Sequence, residues 1–139
     1  MVSLDSPSGP APSSWQVLAV PHADQAARSA CRSIRDDLTR HQLAGRVLND
    51  AVIVAGELVI NAVEHGRPDD TGTIEVAWTV AEGHLVLRVA DAGEGPTIAQ
   101  GDVSDDGMRG RGLAMVAAIC DDWSVSRNGR TTFTARIPL

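Results

Sequence analysis

The sequence predicts an α+β domain: a two-layer α/β sandwich whose sheet is mixed but mostly antiparallel, with its helices on one face. Three observations carry this. Two pairs of segments with alternating or strand-rich composition are each joined by a short turn, as hairpin strands are. Two stretches with apolar residues at helical spacing precede the first pair, and a third lies between the pairs. The resulting order is β-α-α-β-β-loop-α-β-β. Its strands come as hairpins rather than as repeated β-α units, which favours antiparallel pairing under a layer of helices.

Residues 1–13 hold Ser3, Ser6, Pro7, Ser8, Gly9, Pro10, Pro12 and Ser13. That composition cannot bury enough apolar surface to order itself, so it reads as a disordered arm. The folded domain is placed at 14–139. Trp15 to Val20 is a short apolar run stopped by Pro21, a strand. From about 23 to 41, Ala26, Ala30, Ile34 and Leu38 recur every four residues, which makes a helix with one buried face. Gly45 interrupts. A second helix is expected over 46–65, with Leu48, Ala51, Ala55, Leu58, Val59 and Ala62 on its apolar side. Gly66 and Pro68 are its stop.

Strands are expected at 73–80 and 84–90, joined through Ala81-Glu82-Gly83. Residues 92–109 then carry Gly93, Gly95, Gly101 and Gly107 with three acids between Asp102 and Asp106. A stretch of that length without periodicity reads as a functional lid. A third helix is expected from Gly110 to Cys120. Closing strands at 122–128 and 131–138 turn at Asn128-Gly129.

Composition narrows the function. The chain has 139 residues, 43% hydrophobic and 22% charged, which suits one soluble domain. A net charge of -6 speaks against a direct nucleic-acid partner. The sequence has neither a long apolar run nor a basic start followed by an apolar stretch. No membrane span or export signal is expected, and a cytoplasmic location follows. Cys31 and Cys120 lack CxxC spacing and read as free thiols. The chain contains no lysine, so all 12 basic residues are arginine. A Walker-type phosphate loop needs its lysine, so that route to a nucleotide is closed.

Three segments carry the chemistry. In the second helix, Glu57 and Asn61 lie one turn apart on a narrow polar stripe shared with Asp50 and Glu64. The stripe is flanked by Ile53, Val54 and Ile60, and it reads either as a solvated face or as a site wall. An asparagine oxygen suits Mg²⁺, and a carboxylate one turn away can accept a proton. The second segment, Asp91-Ala92-Gly93-Glu94-Gly95, follows a strand. It is either a plain turn or a carboxylate offered to an exocyclic amine, with glycines that let backbone pass a flat ring. The third, Gly107-Met108-Arg109-Gly110-Arg111-Gly112-Leu113, ends at a helix start. It is either a linker or a set of amides and guanidinium groups for an anion.

Together these segments resemble the GHKL ATPase/kinase superfamily, whose nucleotide-binding domain is the Bergerat fold. Glu57-Leu58-x-x-Asn61-Ala62 with His65-Gly66 resembles its N box, and Asp91-x-Gly93-x-Gly95 its G1 box. Gly110-Arg111-Gly112-Leu113 resembles its G2 box. Thr131-Thr132-Phe133 with Ile137-Pro138 is similar to its last strand. The resemblance spans about residues 14–139 and is greatest to the bacterial anti-sigma-factor serine kinases.

That resemblance implies ATP and Mg²⁺ as cofactors, Glu57 as general base and Asn61 as metal ligand. It implies Asp91 at the adenine amine, with Gly93 and Gly95 shaping that pocket and Thr131 supporting Asp91. Arg109, Gly110, Arg111, Gly112 and Leu113 would border the phosphates, and residues 97–109 would form a lid. The implied partners are a sigma factor and an anti-anti-sigma antagonist of STAS type, whose serine or threonine receives the phosphate. A homodimer is the default assembly. The alternative is a regulatory module of the same fold that binds nucleotide or protein with little catalysis. A detached histidine-kinase catalytic domain is the weakest reading, because 23–65 is too short to add a dimerisation hairpin.

Overall fold

The computed structural model describes residues 14–93 and 107–139, with the side chains of 107–111 excepted. The expected N-terminal arm, Gly95 and most of the expected lid lie outside the described residues. Eight elements follow in order: β1 (Gln16–Pro21), α1 (Ala26–Arg40), α2 (Arg46–His65), β2 (Thr73–Ala81), β3 (His84–Asp91), α3 (Gly107–Ile119), β4 (Asp122–Arg127) and β5 (Thr131–Pro138). The strands form one sheet in the order β1-β2-β3-β5-β4. Every described pairing is antiparallel. The α+β two-layer sandwich is therefore as expected, with no parallel pair among these strands.

The hairpin turns explain the register. Glu82 and Gly83 sit at φ 55° and 80° between β2 and β3. Two successive left-handed residues give a turn whose twist matches the strands it joins. The β4–β5 turn likewise places Gly129 at φ 79°.

Alternation then sends one side chain in two to the helices. Ile74, Val76 and Trp78 of β2, Leu85, Leu87 and Val89 of β3, and Phe133, Ala135 and Ile137 of β5 form the inner face. Trp123 of β4 stacks on Phe133, with ring centroids 6.0 Å apart. Against this face lie Ala30, Ile34 and Leu38 of α1 and Ala51, Val54, Ala55, Leu58, Val59 and Ala62 of α2. Leu113 and Val116 of α3 join the same core.

Two details fix the helical layer. Gly56 of α2 packs beside Cys31 of α1, whose thiol donates to the Val52 carbonyl at 3.4 Å. Asp37 of α1 is buried, and Trp78 Nε1 donates to its Oδ2 at 2.9 Å. An apolar-faced helix is thus tied to the sheet by one polar contact. On the outer face of the sheet, the Arg88 guanidinium lies 4.2 Å from the Trp15 ring centroid.

The third helix starts at Gly107, three residues before its expected start at Gly110. The last three residues of the expected lid are therefore helical. Glycine and arginine near a helix start give little local signal. The Leu113–Val116 anchor in the core sets the helix, and its first turns extend back from there.

Candidate functional site

The site is built around the C-terminal half of α2. Leu58, Val59 and Ala62 fasten that half to the core. The opposite side therefore carries Glu57 and Asn61, one turn apart and partly exposed. The helix ends where Gly66 donates its N–H to the Ala62 carbonyl at 2.8 Å.

The next residue leads into the second expected segment. Arg67 donates its N–H to Asp91 Oδ1 at 3.2 Å. Its carbonyl accepts from the Ala92 N–H at 2.9 Å. Gly93 donates its N–H to the same Asp91 Oδ1 at 2.7 Å. Thr131 is the register partner of Asp91 across β3 and β5, and its hydroxyl donates to the Gly93 carbonyl at 2.7 Å. The structure thus brings Asp91, Gly93 and Thr131 together with the end of α2. Both hydrogen bonds from described residues to the Asp91 carboxylate fall on Oδ1.

Three glycines let carboxylates pack against bare backbone. A Cβ on Gly66 would overlap the Asp91 carboxylate and lie 2.7 Å from the Ala62 carbonyl oxygen. A Cβ on Gly93 would lie 3.0 Å from Asp91 Oδ1. A Cβ on Gly112 would overlap the Glu57 carboxylate. The third expected segment therefore meets the first, because Gly112 of α3 packs directly on Glu57.

Arg109, Gly110 and Arg111 lie in the first turns of α3, and their side chains are outside the described set. Leu113, expected at the nucleotide, is 4% exposed and belongs to the core. An aliphatic side chain on the inward side of a helix is buried there by the hydrophobic effect.

The turn that carries the chain from this corner to β2 is strongly bonded. Asp69 Oδ1 accepts from the N–H groups of Thr71 and Thr73 at 2.9 and 3.0 Å. The Thr71 hydroxyl donates to it at 2.6 Å. These bonds, the Thr71 hydroxyl first, hold the Asp69 carboxyl down to about 2.

Neither thiol is poised to react. Burial raises Cys31, partly offset by Arg35. Burial, with the Asp50, Asp121 and Asp122 carboxylates, pushes Cys120 up to about 12. Both are free thiols, as expected. His65 stays local, 3.7 Å from Glu64. No three His, Cys, Asp or Glu side chains cluster as a metal-ligand set among the described residues.

The close approach of Gly66 and Arg67 to Asp91 is not visible in the sequence, where Gly66 reads as a helix stop and as part of the N-box resemblance. Its φ is -96°, which any residue adopts. The glycine is needed for space rather than for backbone freedom.

Residues 20–137 match the family model of the histidine kinase-like ATPase domain. The chain belongs to this family. ATP binding is what membership of the histidine kinase-like ATPases implies. Among solved structures, the RsbU and RsbW domains of Rv1364c from Mycobacterium tuberculosis match with a TM-score of 0.70 and 26% identity, over 90% of this chain and 32% of that one. This chain thus spans about a third of that protein's length. The SiaB–SiaC complex of Pseudomonas aeruginosa matches with a TM-score of 0.59 and 17% identity, over 89% of each chain. The histidine kinase domain of the Erythrobacter litoralis EL346 blue-light activated histidine kinase matches with a TM-score of 0.54 and 17% identity, over 88% of this chain and 66% of that one. The last two are likenesses of fold. No curated relative matches. No helix among the described residues is long and apolar enough to cross a membrane.

Proposed function

We propose that this chain is an ATP-dependent serine/threonine-protein kinase that acts as an anti-sigma factor. In this reading it phosphorylates a STAS-type anti-anti-sigma antagonist and binds a sigma factor. The observation that carries the reading is the Glu57 carboxylate set one turn from Asn61 and packed against the Gly112 backbone. A module that only binds needs no base there. The motif resemblance to anti-sigma-factor serine kinases and the 26% identity with the RsbU–RsbW structure support it.

The residues fit a purine nucleotide. The Asp91 carboxylate packs on the bare backbone of Gly66 and Gly93, where a Cβ would overlap or crowd it. Its Oδ1 is held by two amides, so Oδ2 is the oxygen available to an exocyclic amine. Arg109, Gly110, Arg111 and Gly112 would border the phosphates from α3, and Gly95 would extend the base pocket. Asn61 offers a neutral oxygen to Mg²⁺, which when bound neutralises charge on the phosphates.

Glu57 accepts the proton of the acceptor hydroxyl as that oxygen bonds to the γ-phosphorus. The bond between the γ-phosphorus and its bridging oxygen breaks, and ADP leaves with the electron pair.

The test is transfer of label from Mg·ATP to purified anti-anti-sigma proteins, comparing wild type with Glu57→Ala. Transfer should fall about a hundredfold or more, with ATP affinity nearly unchanged. Equal and negligible transfer by both proteins, despite tight ATP binding, would replace this reading by that of a binding module.

A further inference from the structure

We infer that Gly66 and the Arg67 amide, at the C-terminus of α2, are positioning elements for base recognition by Asp91. The inference rests on the nucleotide-binding reading above and deepens it.

Asp91 is the last residue of β3, where strand pairing alone leaves its side chain free to rotate. Two amides remove that freedom. Arg67 and Gly93 both donate to Oδ1, at 3.2 and 2.7 Å. A carboxylate with one oxygen bound twice presents its other oxygen in one direction. The Ala92 N–H bond to the Arg67 carbonyl, 2.9 Å, locks the same two segments a second time. Arg67 is therefore bonded to residues 91 and 92 through both its N–H and its C=O.

Gly66 makes the approach possible. A Cβ there would overlap the Asp91 carboxylate, and the helix carbonyl of Ala62 at 2.7 Å blocks its retreat. The backbone at φ -96° would accept alanine without strain. A substitution at Gly66 would therefore press on both the Asp91 carboxylate and the Ala62 carbonyl, and the Asp91→Asn background separates the part that acts through Asp91. The helix that carries Glu57 and Asn61 would then also set the angle of the base-reading carboxylate. A base with an amine at its six-position would be selected by a contact whose geometry α2 controls.

The experiment compares the affinity of the full chain for ATP with that for purine riboside triphosphate, which lacks the six-amine. Wild type should prefer ATP by about tenfold or more. Gly66→Ala should lose about tenfold for ATP and little for the analogue, so the preference collapses. In an Asp91→Asn background, Gly66→Ala should have no further effect on the preference. A folded Gly66→Ala protein that keeps the wild-type preference overturns the inference, as does a full additive loss on Asp91→Asn.

Should Gly66→Ala fail to fold, amide exchange decides. The Arg67 N–H should exchange faster in Asp91→Ala than in wild type, and equal exchange overturns the inference. Wild type that binds neither triphosphate would instead refute the nucleotide-binding reading itself.

Discussion

Asp37 and Asp91 are the two buried carboxylates among the described residues, 6% and 7% exposed. They have opposite patterns of satisfaction. Asp37 uses both oxygens on the protein: Trp78 Nε1 donates to Oδ2 at 2.9 Å, and Arg40 donates to Oδ1 at 3.0 Å. Asp91 takes both of its described hydrogen bonds on Oδ1. Burial of a carboxylate is costly unless its lone pairs are matched. A fully matched buried aspartate holds two layers together. One matched on a single oxygen and packed on bare glycine backbone is, in the proposed function, the one that reads a ligand. Burial alone would not have separated the two.

The same substitution at each position tests that distinction. Asp91→Asn should have the larger effect. Its carboxamide oxygen can still accept from Arg67 and Gly93, so the fold should persist. Its NH₂ would face the base amine, donor against donor. ATP affinity should fall about a hundredfold, with the melting temperature shifted by only a few degrees. Calorimetric titration and thermal unfolding measure both, and a large loss of stability without a loss of affinity would make Asp91 a second anchor.

Asp37→Asn should show the reverse. One oxygen becomes a donor facing Trp78 or Arg40, which should cost about 1–3 kcal/mol of stability while ATP affinity is kept. Urea unfolding checks the first part. A loss of ATP affinity in the folded protein would end the contrast.

The smallest effect concerns the Asp69 turn beside the site. Folding lowers its pKa, so its contribution is complete above the ordinary carboxylate value of about 4. That contribution is lost as the pH falls toward 2. The Thr71 and Thr73 amide resonances should move with a midpoint near 2. A midpoint near the ordinary value would show that the turn's bonds do not persist in solution.

Local patterns were legible in the sequence, and long-range ones were not. The α2 boundaries at Arg46 and His65 are those expected, because Gly45 and Gly66 punctuate a regular apolar period. Glu57 and Asn61 were visible for the same reason, since helical spacing alone puts them on one side. Asp37 was not seen as buried, because its partner Trp78 lies 41 positions away. Nor could Gly66 be recognised as a space-giving glycine, since one residue type serves both a helix stop and a close approach. Leu113 illustrates a motif position that the core takes: the resemblance implies a place near phosphate, and the structure buries its side chain in the core.

The register of β3 with β5 has a kinetic meaning. Asp91 and Thr131 face each other although 131 − 91 = 40 positions separate them. The β2–β3 hairpin needs only a two-residue turn to form, whereas β3 and β5 meet after a much longer segment has been closed. The two sides of the Asp91 corner therefore meet only by closing a long segment. Ligand can stabilise the finished chain by mass action, but it cannot guide the steps before β5 has docked.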